Sequence, residues 1–358
     1  TIPEKESWKF HIIASHSDSP SFKIKENPEI VVEKTYVKLN VEKYGGMLMA
    51  PWFDRPLSIA GRVIVRKDGK LEEKLIDFDR NLVMIPNLAI HMNREANSGV
   101  SYNPQKDMLP LFSMGGSDVS LQKLLSTQLD VEEKDILSHD LFLYNRMEGS
   151  IWGAENEFAS SARLDDLQCA FASLKGFLGA QKQDCIAVHC VLDNEEVGSG
   201  TKQGAASTFL KDTLLRINSG LGRTYEEYLM TLADSFMISA DNAHALHPNY
   251  TDKADPVNHP LLNKGIVIKY NANQKYCTDA VSAAVFKDLC DRAGVSWQTF
   301  VNRSDIPGGS TLGNISNTQV PMNTVDIGLP QLSMHSPYET AGVRDTEYFV
   351  KAAKEFFA

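Results

Sequence analysis

Apolar and polar positions follow one rhythm in the middle of this chain and another at its ends. Trp8 to Ser15 is a short, nearly continuous apolar run, the pattern of a strand buried on both faces. From about Phe22 to Ser150 the period is mostly two. Val31 to Val41 alternates and is rich in β-branched residues, which predicts a half-exposed strand. Leu57 to Val65 and Leu71 to Phe78 flank Asp68-Gly69, a hairpin signal. Asn81 to Asn93 carries an apolar run that includes His91, and 119–129 and 131–137 read as short helices. Beyond Ser150, apolar runs alternate with helical spacing. Strands are predicted over 186–192, 235–240, 265–270, 297–301 and 324–328, and helices over 167–179, 204–216, 224–233, 279–293 and 345–357. A Gly-rich turn at 308–313 leads into another helix, and 331–339 reads as a loop. Such alternation predicts an α/β fold with a sheet covered by helices on both faces, beside a mostly β module.

Composition narrows the function classes. The chain has 358 residues, 42% of them hydrophobic, enough for a sizeable core and about two domains. Its formal net charge is −10 and it has no dense Lys/Arg run, which argues against a nucleic-acid binder. No apolar run approaches the ~18 residues of a membrane span. Thr1 to Ser7 does not read as a signal peptide, and the chain does not open on Met, so a natural start is expected upstream. The five cysteines are odd in number and form no Cys-x-x-Cys pair. Most sit in apolar patterns, as small core residues of a protein from a reducing compartment would, and a cytoplasmic location is expected.

The candidate chemistry lies at strand ends. His16 with Asp18, Asp165, Glu195 with Glu196, Asp241, and His335 each fall at or just beyond a predicted strand, or open the helix beside one. In an open α/β sheet such ends converge on one crevice. A lone His or Asp there is usually structural, and an isolated Glu-Glu is usually a solvated turn. Five such sites on one edge point instead to a metal centre. Two imidazoles with several carboxylates suit zinc, manganese or cobalt. A pair of metals about 3.5–4 Å apart needs a bridging carboxylate and an uncoordinated base, and adjacent glutamates offer two roles. In His16-x-Asp18 the carboxylate can hold the imidazole in one tautomer.

The stretches His16-Ser17-Asp18-Ser19-Pro20, Ser161 to Asp166, Asp193 to Ser199, Ser239 to Tyr250 and Met334-His335-Ser336 resemble the M18 family of metallo-aminopeptidases, the aspartyl aminopeptidases and their yeast vacuolar relative. The resemblance runs in order from Trp8 to the C-terminus. It implies two divalent metals, normally zinc, with His16 and Asp241 on one, Glu196 and His335 on the other, and Asp165 bridging. Glu195 would be the general base and Asp18 would orient His16. It also implies a mixed sheet of the di-zinc exopeptidase type, with a catalytic domain (1–21 and 151–358) interrupted by a mainly β dimerisation domain (22–150). Dimers would build a tetrahedral dodecamer, and His91 would reach a neighbouring subunit's site. Peptides would be the substrates and no nucleic acid or membrane a partner.

Lys269 matches a family position near the pocket for the N-terminal side chain, where it could pair with an acidic residue; a lysine with its amine in water explains it equally well. An Asp/Glu preference is therefore expected, with a neutral, Leu-type preference as the alternative. An inactive shell-forming protein is the remote alternative, since no ligand position is degenerate. A related hydrolase of other amides is disfavoured by Ser239 to Tyr250 and by the inserted module. Gly308 to Thr311 reads as a helix-entry turn or a donor of backbone N–H groups. His244 and His247 are read as structural or as supporting groups, and His11 and His189 as packed. Asp166 stands where some family members have Asn. The family also implies a segment of some tens of residues before Trp8.

Overall fold

The computed structural model describes residues 8–116, 118–181 and 185–358; Thr1 to Ser7 lie outside the described residues. The chain divides into two compact units, one of Thr1–Ser19, Gly149–Met334 and Glu339–Ala358, the other of Pro20–Glu148 with His335–Tyr338.

In the first unit a six-stranded sheet runs in the order Ile186–Leu192, Phe10–His16, Phe236–Ala240, Asn323–Gly328, Ile266–Tyr270, Trp297–Val301. The first four strands are mutually parallel, and Ile266–Tyr270 runs antiparallel to its neighbour Asn323–Gly328. Side chains alternate between the faces, as the period of two requires. Ile13, Phe236 and Ile238 pack with Cys169, Phe286, Leu289 and Phe349 in one core. Phe10, Ile12, Ala14 and Met237 pack with Leu210, Leu214, Tyr228 and Leu232 in another. Helices therefore cover both faces. Two of them start on capping boxes, Thr224 with Glu227 and Asp279 with Ser282, which satisfy otherwise unpartnered N–H groups.

A second, five-stranded sheet joins Ala243–His244, Pro330–Leu332, Glu339–Gly342, Phe158–Ser161 and Ser150–Trp152. Its strands are too short to leave a period in the sequence. Pro330–Leu332 and Glu339–Gly342 pair antiparallel, so the 331–339 loop closes a hairpin. The regular part of the helix Leu164–Gly179 begins after Asp165 and Asp166, whose backbones are non-helical.

The second unit is a six-stranded antiparallel sheet in the order Lys70–Asp77, Leu57–Lys67, Ile136–Asn145, Ser21–Val32, Tyr36–Tyr44, Leu111–Met114. It departs from the pattern reading at two places. Val31 to Val41 is two strands, broken by a turn where Glu33 and Lys34 take left-handed backbones. The 131–137 segment is helical only in one 3₁₀ turn, Glu133–Asp135: Ile136 opens a strand that pairs with Leu57–Lys67, and tertiary pairing overrides the rest of the local pattern.

One glycine sets the spacing beside the predicted site. A Cβ on Gly328 would lie 2.1 Å from the carbonyl oxygen of Asp241. Replacing it moves backbone rather than a flexible side chain. Gly328→Ala is expected to lose about 1–3 kcal/mol of stability, read from urea unfolding, and to displace Asp241. An unchanged unfolding midpoint would remove this steric account.

Candidate metal centre

The parallel strands place their carboxyl ends side by side, and His16 pairs with Leu192 at that edge. Ser17 N–H continues the ladder to Leu192 O at 3.0 Å, and Asp241 N–H donates to Ile327 O at 3.0 Å. The residues just beyond each strand are thus brought to one edge. Three turns that deliver site residues pass through left-handed backbone at non-glycine positions: Arg163 before Asp165, Asn194 before Glu195, and His335 itself. Such conformations cost of order 1 kcal/mol each and persist where surrounding contacts over-determine them.

Three groups of possible donors form, each with its ligand atoms within 4.8 Å of one another: His16, Asp165 and Asp241; Asp165, Glu196 and His335; His16, Glu195 and Glu196. His335 lies in the hairpin loop between Pro330–Leu332 and Glu339–Gly342, whose strands belong to the first unit's small sheet. Asp165 appears in two of these groups.

His16 is buried, with its two ring nitrogens facing different partners. Nδ1 lies 3.0 Å from the Asp18 carbonyl oxygen and 3.4 Å from its carboxylate. Nε2 faces Asp165 Oδ1 at 3.5 Å and Asp241 Oδ1 at 3.8 Å. Burial lowers the affinity of this imidazole for a proton, but the Asp165, Asp18 and Asp241 carboxylates outweigh it and hold the pKa well above the usual histidine value. Asp18 does more than face the ring. Its two carboxylate oxygens accept the backbone N–H groups of Glu195 and Glu196, both at 3.1 Å. Burial, then the charge of Asp241, pushes the Glu195 carboxyl up to about 7.

Asp166 is fully buried, and burial raises its pKa well above the carboxylate range. Its Oδ2 accepts the His16 backbone N–H at 3.1 Å, a contact that the sequence did not suggest. Lys269 is buried as well, so its amine is not in water. Its Nζ lies 3.4 Å from Asp241 Oδ2 and 5.5 Å from the centre of the Tyr276 ring. Burial disfavours the ammonium form, but Asp241, Tyr276 and Asp326 reverse the effect and raise its pKa.

His91 is exposed in a turn of the second unit and belongs to none of the three donor groups. His11 stacks on Phe356 and His189 bonds Ala170 O, both as packed residues. His244 and His247 line a cleft of about 340 Å³ with Tyr250, Phe300 and Arg303. Gly309 borders the same cleft, and Thr311 instead donates to the buried Asp326 at 2.8 Å.

The donor set fits divalent metal. Carboxylates this close, around a nearly buried imidazole, repel one another unless a cation or a proton sits among them. Nitrogen and oxygen donors of this kind suit zinc, manganese or cobalt. Asp165, Asp241, His16, Glu196 and His335 could hold such ions.

Comparison with known proteins agrees with this chemistry. The family described as Aminopeptidase I zinc metalloprotease (M18) matches residues 3–357. The chain is similar to the probable M18 family aminopeptidase 2 of Clostridium acetobutylicum, at 48% identity over 354 residues, covering 97% of this chain and 82% of that protein. A chain in the cryo-EM structure of the Ape4 and Nbr1 complex superposes with a TM-score of 0.94 at 36% identity, covering 99% of this chain and 72% of that one. The structure of the S. cerevisiae mApe1 dodecamer superposes with a TM-score of 0.83 at 27% identity, over 98% of this chain and 80% of that one. The chain belongs to the M18 family and is a metallo-aminopeptidase, a hydrolase acting on peptide bonds.

Proposed function

We propose that this enzyme removes the N-terminal residue of peptides at a two-metal centre of the di-zinc exopeptidase type. The observation that carries the reading is the sharing of Asp165 between two donor groups. His16 and Asp241 would hold one ion, Glu196 and His335 the other. Zinc, when bound, supplies Lewis acidity and makes water a nucleophile near neutral pH. Glu195 stays free of metal in this reading. It takes the proton of the attacking water and returns it to the leaving amine. Asp18 fixes the Glu195–Glu196 turn through two backbone bonds and keeps His16 Nε2 directed at the metal side.

For the N-terminal side chain, an acidic residue is the first reading, with Lys269 as its cation. The pairing of Lys269 with Asp241 favours a second reading, a neutral Leu-type preference, because that amine is already engaged within the protein. We further propose that the second unit mediates dimerisation, that dimers build a tetrahedral dodecamer, and that His91 enters a neighbouring subunit's site. The mApe1 dodecamer supports assembly, as do the exposed Leu88, Ile90 and Met92 around His91. A cytoplasmic location is supported by the burial of Cys169, Cys185, Cys190 and Cys290 as small core residues. No described helix is long and apolar enough to cross a membrane.

Glu195→Gln is expected to keep its metal and lose about 10²–10⁴-fold in kcat, whereas Glu196→Gln lowers metal content itself. Metal analysis beside kinetics separates the two, and full activity in both would sink the assignment. On Asp-, Glu- and Leu-peptides, Lys269→Ala should selectively lose the acidic substrates; faster Leu cleavage, unchanged in the variant, selects the neutral reading. His91→Ala should lower kcat/KM without altering metal content.

Chelator-treated protein gives a pH test. Folding raises the Glu195 pKa from 4.5 to about 7, so its contribution to stability is full below about pH 4.5 and is lost as pH rises through 7. Glutamine mimics the protonated form. Wild type and Glu195→Gln should therefore unfold alike in urea at pH 4.5 and diverge, wild type lower, by pH 8. Parallel curves would show that Glu195 titrates normally.

A further inference from the structure

Beside the donor groups lies a buried polar chain that the mechanism does not use. Glu339 is 2% exposed and opens the strand Glu339–Gly342. Its Oε2 accepts the backbone N–H of Asp165 at 2.9 Å. Its Oε1 faces Gln331 Nε2 at 3.5 Å across the hairpin. Gln331 Oε1 in turn accepts from Asn242 Nδ2 at 2.9 Å. The same Asn242 amide reaches Leu164 O at 3.0 Å and Gln168 Oε1 at 3.1 Å, and its Oδ1 accepts from Cys169 Sγ at 3.1 Å. Gln331, Asn242 and Gln168 are all buried.

The ends of this chain matter. Asn242 follows Asp241, and Leu164 precedes Asp165. The chain therefore ties the backbones on either side of the Asp165–Asp241 pair. Those two residues arrive on separate segments, one leaving a strand of the main sheet and one entering a helix. Asn242 bonds Leu164 O directly, and the small-sheet side chains of Glu339 and Gln331 add a second link, from the Asp165 N–H to Asn242. A buried carboxylate is expensive unless it is hydrogen-bonded. Accepting an N–H makes the bond charge-assisted and directional. Water has little access to the chain, so a wrong spacing cannot be relieved by solvent.

We propose that Glu339 is a positioning residue of the metal centre, setting the place of Asp165 through its backbone and, by way of Gln331 and Asn242, its separation from Asp241. This rests on the reading of Asp165 and Asp241 as ligands of one metal. Glu339 touches no reacting atom in this account; it holds ligands in register, as hydrogen-bond partners of metal ligands do.

The test compares wild type with Glu339→Ala, Glu339→Gln and Gln331→Met. Zinc affinity is measured by chelator competition, and the cobalt-substituted proteins by their visible absorption bands. Glu339→Ala should bind zinc about 10–100-fold more weakly with shifted cobalt bands. Glutamine keeps an acceptor for the Asp165 N–H but turns an amide donor toward Gln331 Nε2, so Glu339→Gln should bind zinc with an affinity between those of wild type and Glu339→Ala. Gln331→Met cuts the chain in its middle with little change in volume, and should also weaken zinc binding and shift the bands. Unchanged affinity and bands in a folded Glu339→Ala overturn the proposal. If that variant does not fold, unchanged affinity and bands in Gln331→Met overturn it instead. Glu339→Gln as weak as Glu339→Ala also overturns it, since the Asp165 N–H contact that glutamine keeps would then set nothing. Wild type that takes up no zinc would defeat the metal-centre reading itself, a distinct result.

Discussion

Crowding of like charge governs this enzyme's architecture. Asp165, Asp241, Glu195 and Glu196 converge on one nearly buried imidazole, with several of their oxygens within 4.8 Å of its ring or of one another. Side chains so placed repel, and burial adds to the penalty because water no longer screens them. Burial first, and then the charges of neighbouring carboxylates, raises the Glu195 and Asp166 carboxyls, and those carboxylates raise His16 against the effect of its burial. No single helix or loop could hold such a set. The common edge of the parallel sheet can, because His16, Glu195 with Glu196, and Asp241 leave three neighbouring strands of rigid backbone while Asp165 arrives separately at the start of a helix.

The polar groups behind the site answer the same constraint. Asp18 meets His16 Nδ1 with its carbonyl oxygen and the Glu195 and Glu196 N–H groups with its carboxylate. It thereby links the ends of two adjacent strands. Asp166 holds the His16 backbone, and Glu339 holds that of Asp165. These candidate ligands are thus fixed by neighbours that are themselves buried. The arrangement is stiff, and the left-handed turns at Arg163, Asn194 and His335 are affordable only because it is.

How much of this was legible in the sequence depended on whether a feature is local. The strand-end positions of His16, Asp165, Glu195, Glu196, Asp241 and His335 can be read from apolar runs and the polar residues at their ends. The contacts of Asp18 with the Glu195 turn cannot, because they exist only once Phe10–His16 lies beside Ile186–Leu192. The small sheet left no trace, since strands of two to four residues carry no period. Glu339 therefore reads as the end of a loop, and Gln331 as its beginning. The strand from Ile136 escapes for another reason: its pattern is compatible with a short helix until Leu57–Lys67 pairs with it. Asn242 and Asp166 could have been flagged by adjacency to candidate ligands, yet adjacency alone does not distinguish a supporting group from a solvated one.

Lys269 shows where local reading stops altogether. Its strand, Ile266–Tyr270, runs against its neighbour Asn323–Gly328 and along Trp297–Val301, so Ile268 pairs with Ile327 and Lys269 falls one step further from the common edge. A short side chain there would stay inside the sheet. The four-carbon stem of lysine carries an ammonium back to Asp241 Oδ2, while Asp241 Oδ1 faces His16. One carboxylate is thereby divided between a fixed cation and the buried imidazole. The apolar run of this strand is the same whether that amine lies in water or under Asp241. Only the reversed direction of Ile266–Tyr270 relative to Asn323–Gly328 decides between them, and direction is a property of the assembled fold.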